Sequence, residues 1–246
     1  MLRARPTDEV NDLLAWRDGT LVGFCGIYAF GGDAELAGAV HPAHRRRGIG
    51  RELLRRAGEH LRDRGRTSAL LVTPRASDAG REFALAMGTT LDHTEHHLEL
   101  DGPPAGPPAP RPSTRGLVVR PAASGDESVI RHLLEAAFGG EAAEAGETGP
   151  RDLALVVERE GEVVGTLRVD LGDETAGVYG FAVRPDLRGQ GIGRAALYEV
   201  CLDLRRRGAQ TVTLEVAVDN DHALGLYTSV GFERRTTEDY FAVDLV

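Results

Sequence analysis

The sequence predicts an α+β fold of two related domains, each with a mixed, mostly antiparallel sheet flanked by helices. Three observations carry this prediction. Two segments repeat one another at an offset of 143 residues, a proline-rich stretch lies between them, and the second segment combines β-hairpin patterns with a strand, a glycine-rich turn and an amphipathic helix. Antiparallel strand pairs with a single strand–turn–helix crossover are typical of this fold class.

The repeat is clearest around the glycine-rich turns. The segment Val40-His-Pro-Ala-His-Arg-Arg-Arg-Gly-Ile-Gly50 aligns with Val183-Arg-Pro-Asp-Leu-Arg-Gly-Gln-Gly-Ile-Gly193. The same offset pairs Leu54 with Leu197 and holds for further leucines and glycines as far as Gly231. One register held over so many apolar and glycine positions indicates a tandem duplication.

Residues 101–112 are predicted to be an interdomain linker. Their proline content excludes a sheet interior, because proline fixes φ and lacks an amide donor; the alternative is a long loop within one domain. We therefore expect domains at residues 1–100 and 113–246. The first starts almost at once with a hairpin, Leu13–Trp16 and Leu21–Tyr28, so it is either trimmed at its N-terminus or lacks the start of the chain.

The second domain is predicted element by element. A strand at Leu117–Arg120 and a helix from Asp126 to about Phe138 precede residues 139–150, which are expected to be a loop or weak helix. A hairpin turn at Glu160-Gly161-Glu162 follows. The remaining elements are hairpin strands Leu153–Val157 and Val163–Val169, a strand Val178–Val183, a helix that Gly208 ends, a strand Thr211–Val218, a helix Asp221–Val230 and a strand Tyr240–Leu245.

Composition and charge limit the classes of function. The chain is 41% hydrophobic with a net charge of −9, which argues against nucleic acid or an anionic membrane as its partner. Cys25 and Cys201 lie in apolar segments and are expected to be reduced thiols. No apolar run approaches the roughly 18 residues of a membrane span, and the N-terminal residues do not have the pattern of a signal peptide. We expect a cytoplasmic protein.

The turn Arg188-Gly-Gln-Gly-Ile-Gly193 is predicted to bind a phosphate or pyrophosphate. It lies between a strand end and a helix start, where the first amides of the helix lack internal acceptors and carry partial positive charge. Arg188 and Arg194 add charge. The turn matches neither the dinucleotide fingerprint nor the P-loop.

Two motifs carry a family resemblance. Arg188-x-x-Gly191-x-Gly193, with Val183-x-Pro185 before it, resembles the pyrophosphate-binding motif of the GNAT superfamily of acyl-CoA N-acyltransferases. The second signature of that superfamily is resembled by Leu214-Glu-Val216 and by residues that follow it, which are Asn220, Ala223, Leu226-Tyr227 and Gly231-Phe232. The resemblance covers the second copy nearly end to end and about two-thirds of a domain in the first.

The resemblance implies a splayed sheet with the pantetheine arm of acetyl-CoA between two parallel strands. The implied cofactor-binding residues of the second copy are Phe181, Ala182, Val183, Arg188, Gly189, Gln190, Gly191, Ile192, Gly193, Arg194, Asn220 and Tyr227. Those of the first copy are Val40, Arg45, Arg46, Arg47, Gly48, Ile49 and Gly50.

The resemblance also implies direct acetyl transfer to an amine, which is a small molecule or a peptide N-terminus. Tyr227 matches the general acid of many members, and Glu215 matches the base of the ribosomal-protein N-terminal acetyltransferases. The alternatives are a core aromatic for Tyr227, a solvent-facing side chain for Glu215 and a helix N-cap for Asn220.

The first copy lacks all three groups, since the offset places Val72, Ser77 and Ala84 at these positions. We expect it to be non-catalytic. This architecture is similar to that of mycothiol synthase, although that family has a glutamate where this sequence has Gly177, and a longer first domain. The contrasting hypotheses are an acyl-CoA sensor and a scaffold that binds no CoA. No metal site is expected, and the histidines that could suggest one are explained by a terminal strand: His93, His96 and His97.

Overall fold

A computed structural model describes residues 11–29, 34–139 and 152–245. The strands are β1 Asp12–Arg17, β2 Thr20–Ala29, β3 Ala34–Val40, β4 Ser68–Pro74, β5 Thr90–Asp101, β6 Leu117–Pro121, β7 Asp152–Arg159, β8 Glu162–Leu171, β9 Thr175–Val183, β10 Thr211–Ala217 and β11 Glu233–Asp244. The helices are α1 Ile49–Asp63, α2 Asp78–Ala86, α3 Glu127–Phe138, α4 Ile192–Arg206 and α5 Asp221–Val230. The N-terminal residues discussed above, and the predicted loop beyond Gly139, lie outside the described residues.

The elements of the two copies confirm the repeat. Helices α1 and α4 both have 15 residues, strands β4 and β10 both have seven, and β5 and β11 both have twelve, each pair at the offset of 143. The last strand of the second copy starts at Glu233, seven residues before the predicted start at Tyr240. The early part of this strand is polar and exposed, which hid it from a search for apolar alternation.

The chain forms two compact units, Met1–Thr94 with Thr237–Val246, and Glu95–Thr236. In unit 1 the strand order is β1-β2-β3-β4 followed by the C-terminal part of β11, and of these described strands only β3 and β4 pair in parallel. In unit 2 the order is the C-terminal part of β5, then β10-β9-β8-β7-β6, and among the strands described there only β9 and β10 are parallel. Each unit therefore has the predicted mixed, mostly antiparallel sheet.

Each unit differs from its expected range, 1–100 or 113–246, by the C-terminal part of one strand. Residues 95–101 of β5 belong to unit 2, because β5 pairs antiparallel with β10, in the register Glu215 opposite His97. Residues 237–246 belong to unit 1, because β11 pairs with β4, in the register Tyr240 opposite Val72. The repeat in sequence alone cannot show such an exchange, since either pairing gives the same strand pattern.

Each unit has its own apolar core. In unit 1, α1 packs through Leu53, Ala57 and Leu61 against the sheet. In unit 2, α4 buries a face that includes Leu197 and Leu204. Cys25 and Cys201 are buried free thiols, and burial raises the pKa of Cys25 to about 11 and that of Cys201 to about 12. Neither is ionised near neutral pH. No helix among the described residues has the length and apolar character of a membrane span.

A buried carboxylate fixes the C-terminal strand in unit 1. The Asp239 side chain is fully buried and accepts a hydrogen bond from the Thr94 hydroxyl at 2.8 Å. Arg75 Nε lies 3.2 Å from its Oδ1, and Arg81 Nη1 lies 3.7 Å from its Oδ2. Because both arginines belong to the first copy, these ion pairs favour the observed register of β11 against β4.

We expect Asp239→Asn to destabilise unit 1 by about 2–3 kcal/mol, because it leaves two arginines facing a neutral group in a buried position. Urea unfolding of the full chain measures the loss. Asp63→Asn, the same chemical change on an exposed side chain of α1, is the control and should cost less than about 0.5 kcal/mol. Equal effects of the two substitutions would contradict a structural role for Asp239.

Candidate functional site

The centre of unit 2 is a gap between its two parallel strands. Strands β9 and β10 are paired only at their starts, through Thr175–Thr211, Ala176–Val212 and Gly177–Thr213. Beyond Gly177 no described residue of β9 pairs with β10, although β9 remains bonded to β8 and β10 to β5. The facing edges of the two strands thus offer backbone N–H and C=O groups to a ligand.

A β-bulge in β9 lies beside this gap. Thr166 of β8 pairs with Ala182 and Arg168 with Tyr179, so the single residue between them on β8 faces two on β9, Gly180 and Phe181. Gly180 has φ +57°, a left-handed conformation that favours glycine. The bulge changes the direction of the backbone at the end of β9, where the predicted pantetheine-binding residues Phe181, Ala182 and Val183 lie.

The glycine-rich turn caps α4. Gly191 is its N-cap residue with φ +88°, where a side chain would be strained. The first described bond of the helix runs from the Ala195 amide to the Gly191 carbonyl at 3.0 Å. The amides of Ile192, Gly193 and Arg194 have no acceptor among the described residues. These three donors and the helix dipole suit an anion, and the binding of a phosphate there stays a prediction.

The two predicted phosphate-binding arginines also have structural roles. Arg188 Nε donates to the Val183 carbonyl at 3.0 Å, which links the turn to the end of β9. Arg194 Nη2 donates to the Ser229 carbonyl at 3.2 Å, which links α4 to α5. Their contact with phosphate stays a prediction.

Tyr227 lies on α5 with its ring in the core. The residue is 9% exposed and belongs to the same apolar cluster as Leu214 and Val216 of β10, with its ring tilted against Phe232 at 6.2 Å. Burial raises the pKa of Tyr227 to about 12. The phenol therefore keeps its proton at neutral pH and is available as a proton donor.

Glu215 lies on the opposite face of β10. Its neighbours Leu214 and Val216 are buried in the core with Tyr227, whereas the Glu215 side chain is half exposed. The general acid and base predicted from the sequence therefore flank the strand that borders the gap. The solvent-facing alternative is correct about exposure, but Glu215 also faces a specific partner.

That partner is His97, a residue that sequence reasoning explained by a terminal strand. His97 Nδ1 lies 3.7 Å from Glu215 Oε1, and its Nε2 lies 3.4 Å from Glu99 Oε1. The Glu215 carboxylate, assisted by Glu99, raises the pKa of His97 above its ordinary value of 6.5 against the opposing effect of burial. Only the exchange of β5 into unit 2 brings His97 here, and no local sequence pattern signals it.

Asn220 caps α5. Its Oδ1 accepts the Ala223 amide hydrogen bond at 3.1 Å, as the N-cap alternative predicted. The equivalent Ser77 caps α2 in the same way, with Oγ accepting from the Gly80 amide at 3.1 Å. A contact of Asn220 with the cofactor stays a prediction.

The first copy keeps the backbone conformation of the site but lacks the side chains predicted to be catalytic. Its turn has the same conformation, with Gly48 at φ +81° and Arg46 at φ +59° where the second copy has Gly189 at +73°. Arg46 pairs with Glu82 at 2.8 Å. Strands β3 and β4 also part, after Leu36 and Leu71.

The first copy also lacks the bulge and the tyrosine of the second. Strands β2 and β3 pair without interruption from Gly23–Val40 to Ala29–Ala34, so the bulge of the second copy is missing. The offset between the copies changes by one residue because of the bulge. Gly23 corresponds to Gly165, which is 142 residues later, whereas its pairing partner Val40 corresponds to Val183, which is 143 residues later. In addition, the fully buried Ala84 stands in the position of Tyr227.

The histidines of β5 have different surroundings. His93 stacks on Tyr240 with ring centroids 4.3 Å apart, and His96 is buried. Among the described residues, no group of three or more His, Cys, Asp or Glu side chains is placed to hold a metal ion.

Comparison with known proteins agrees with this geometry. The model of the acetyltransferase (GNAT) family matches residues 126–232, and that of the acetyltransferase (GNAT) domain matches residues 11–88. A mycothiol acetyltransferase from Streptomyces bingchenggensis is 31% identical over 83% of this chain and 70% of its own length. The chain belongs to the GNAT acetyltransferase family. One from Amycolatopsis mediterranei is 30% identical over 94% of this chain and 83% of its own length.

Solved structures share the tandem GNAT fold. A GCN5-related N-acetyltransferase from Sphaerobacter thermophilus superposes with a TM-score of 0.71 at 23% identity, over 93% of this chain and 78% of that one. A tandem GNAT protein from the clavulanic acid biosynthesis pathway gives a TM-score of 0.60 at 21% identity, over 97% and 85% of the two chains.

GNAT acetyltransferases use acetyl-CoA, and unit 2 fits this cofactor. The three amides at the start of α4 suit its pyrophosphate. The parted strands suit the amide-bearing arm, which can complete the hydrogen bonding of both facing edges.

We expect Gly191→Asp to weaken acetyl-CoA binding at least a hundredfold, since it places a carboxylate and a strained residue in the anion site. Gly48→Asp introduces the same change at the same φ in the first copy and should leave the affinity within about twofold of wild type. Isothermal titration calorimetry measures both. Loss of binding in Gly48→Asp alone would contradict a working site in unit 2.

The pairing of His97 with Glu215 predicts a pH-dependent coupling. Because the folded-state pKa of His97 is raised, its stabilising effect is full below pH 6.5 and is lost as pH rises through the raised value. Urea unfolding of His97→Gln, Glu215→Gln and the double variant should give a coupling free energy of about 0.5 kcal/mol at a pH of about 5.5 and none at about 8.5. A coupling that does not change with pH would contradict the ion pair.

Proposed function

We propose that the second domain transfers an acetyl group from acetyl-CoA to a primary amine, and that the first domain is non-catalytic. The observation that carries this proposal is the placement of a neutral, buried phenol and a half-exposed carboxylate on opposite faces of β10, beside the gap between β9 and β10. The first copy, with Ala84 and Val72 at these positions and no bulge, supports the second part.

Acid and base have separate tasks. Bound acetyl-CoA supplies an acetyl group activated as a thioester; the amine nitrogen forms the new C–N bond and the C–S bond breaks. Glu215 accepts the proton that the amine must lose, and its exposure gives an acceptor access from solvent. Tyr227 holds a proton at its hydroxyl for the leaving sulfur, and a pKa near 12 prevents its loss beforehand.

His97 is part of this proposal as the group that holds Glu215 in place. Its Nδ1 lies 3.7 Å from Glu215 Oε1, and the Glu215 carboxylate raises the pKa of His97, which favours the imidazolium form that pairs with it. It comes from the first copy, so the non-catalytic domain contributes a side chain to the catalytic unit through β5.

The relatives favour a small-molecule amine over a peptide N-terminus as the acceptor. Both mycothiol acetyltransferases named above align over more than four-fifths of this chain. The resemblance to mycothiol synthase described above implies a glutamate in that family where this chain has Gly177, the last residue of β9 that pairs with β10. A Cβ at Gly177 would make only ordinary contacts, the nearest with Thr213 Oγ1 at 3.8 Å. Because space for a side chain is left open there, we propose an acceptor different from that of mycothiol synthase.

Release of free CoA with a panel of small primary amines tests the proposal. Tyr227→Phe should lower kcat by about 10²–10³-fold with little change in the affinity for acetyl-CoA, because the hydroxyl acts only on the leaving group. Tyr198→Phe, which removes a hydroxyl from α4 in the same unit, should retain full activity.

Glu215→Gln should lower kcat about a hundredfold and remove the acidic limb of the pH–rate profile, whereas Glu99→Gln should keep that limb. Binding of acetyl-CoA without turnover of any amine would support an acyl-CoA sensor instead. A protein that binds no CoA would fit the scaffold hypothesis.

A further inference from the structure

The proline-rich segment, which the sequence predicts to be a spacer, packs on the glycine-rich turn of unit 2. The Ser113 hydroxyl donates to the Gln190 carbonyl at 2.7 Å. A Cβ built on Gly191 would lie 3.2 Å from Cδ and 3.5 Å from Nη1 of Arg111. The Ala105 amide also donates to the Val230 carbonyl at 2.8 Å. The segment is thus fixed to the unit at several points, and it carries Arg111 to the start of α4.

Arg111 has no counter-charge within the part of the chain that the structure describes. Among the described residues, its guanidinium makes no hydrogen bond or ion pair, although the side chain lies against the N-cap of a 15-residue helix. A cation at a helix N-terminus is unfavourable because the helix dipole has its positive end there. Three helix amides without an acceptor lie at the same place. Arg111 is exposed, and together with these donors it makes the start of α4 a positively charged surface that favours an anion.

The first copy shows that the turn does not need this arginine. Gly48 has nearly the same conformation as Gly191, with φ +81° against +88°, yet no atom of the described residues lies within 4 Å of a Cβ built on it. An open cavity of about 540 Å³ lies beside this turn, lined by residues that include Leu13, Gly48 and Arg56. In unit 2 the helix α4 packs instead on β6 and on the turn Pro112–Thr114. Arg111 is therefore not explained by the folding of the turn.

We propose that Arg111 is a cofactor-binding residue, which contacts a phosphate group of acetyl-CoA held at the start of α4. This inference rests on the proposed cofactor site in the second domain. It makes the segment between the two copies part of that site rather than a spacer. The ligand chemistry is a phosphoryl oxygen, either of the pyrophosphate or of the 3′-phosphate, and a planar guanidinium suits both.

Calorimetric titration of the full chain tests the proposal with CoA and 3′-dephospho-CoA as probes. Arg111→Gln should weaken CoA binding about tenfold, the effect of one charge-assisted hydrogen bond. Arg115→Gln, which removes an exposed arginine from the same segment, is the matched control and should change the affinity by less than about twofold. Thermal unfolding without ligand checks that both variants retain the fold.

The second probe distinguishes the two phosphates. If Arg111 contacts the 3′-phosphate, wild type and Arg111→Gln should bind 3′-dephospho-CoA equally; if it contacts the pyrophosphate, the tenfold difference should persist. Unchanged CoA affinity in Arg111→Gln would overturn the proposal, and tighter binding would too, since Arg111 would then occupy the phosphate position. Absence of CoA binding by the wild type would instead overturn the cofactor site itself, and this inference with it.

Discussion

The parting of two parallel strands is the constraint on which the rest of unit 2 depends. Strands β9 and β10 are held on their outer sides by β8 and β5 and separate after Gly177 and Thr213. A buried backbone group without a partner costs about 1–3 kcal/mol, so such a gap is stable only if water or a ligand bonds to its edges. A ligand arm that carries amides can complete both edges. The anion site at the start of α4, the bulge at Gly180 and the two candidate catalytic side chains are all arranged around this gap.

The duplication shows how few differences separate the copy proposed to be catalytic from the copy proposed to be non-catalytic. Both copies have the parted strands and the turn with left-handed residues. One inserted residue makes the bulge in β9, and Ala84 stands where the second copy has Tyr227. The first copy gives its last strand, β5, to unit 2, and with it the His97 side chain beside Glu215. Its proposed lack of activity therefore does not make it dispensable.

The sequence predicts most of the fold because a repeat and two motifs constrain it. Local patterns of apolar residues and glycine predict the succession of strands and helices along the chain, the hairpin at Glu160-Gly161 and the helix after the turn. They do not predict the exchange of β5 and β11, because strand pairing is set by contacts far apart in sequence. The contacts of His97 and Arg111 could not be predicted for the same reason. His97 lies beside Glu215, which is 118 residues away in the sequence, and Arg111 lies beside Gly191, which is 80 residues away. The bulge did leave a signal, the change of repeat offset from 142 to 143.

Hydrogen–deuterium exchange with and without acetyl-CoA tests the central claim most directly, since it reports backbone amides in both copies of one molecule. We predict that the cofactor slows amide exchange at the end of β9 and in the turn, residues 180–194. Amide exchange in the corresponding residues 37–51 of the first copy should not change. Equal protection in both copies would contradict a single working site. Protection confined to the first copy, or no protection in the turn of the second, would contradict the assignment of the gap in unit 2 as the acetyl-CoA site.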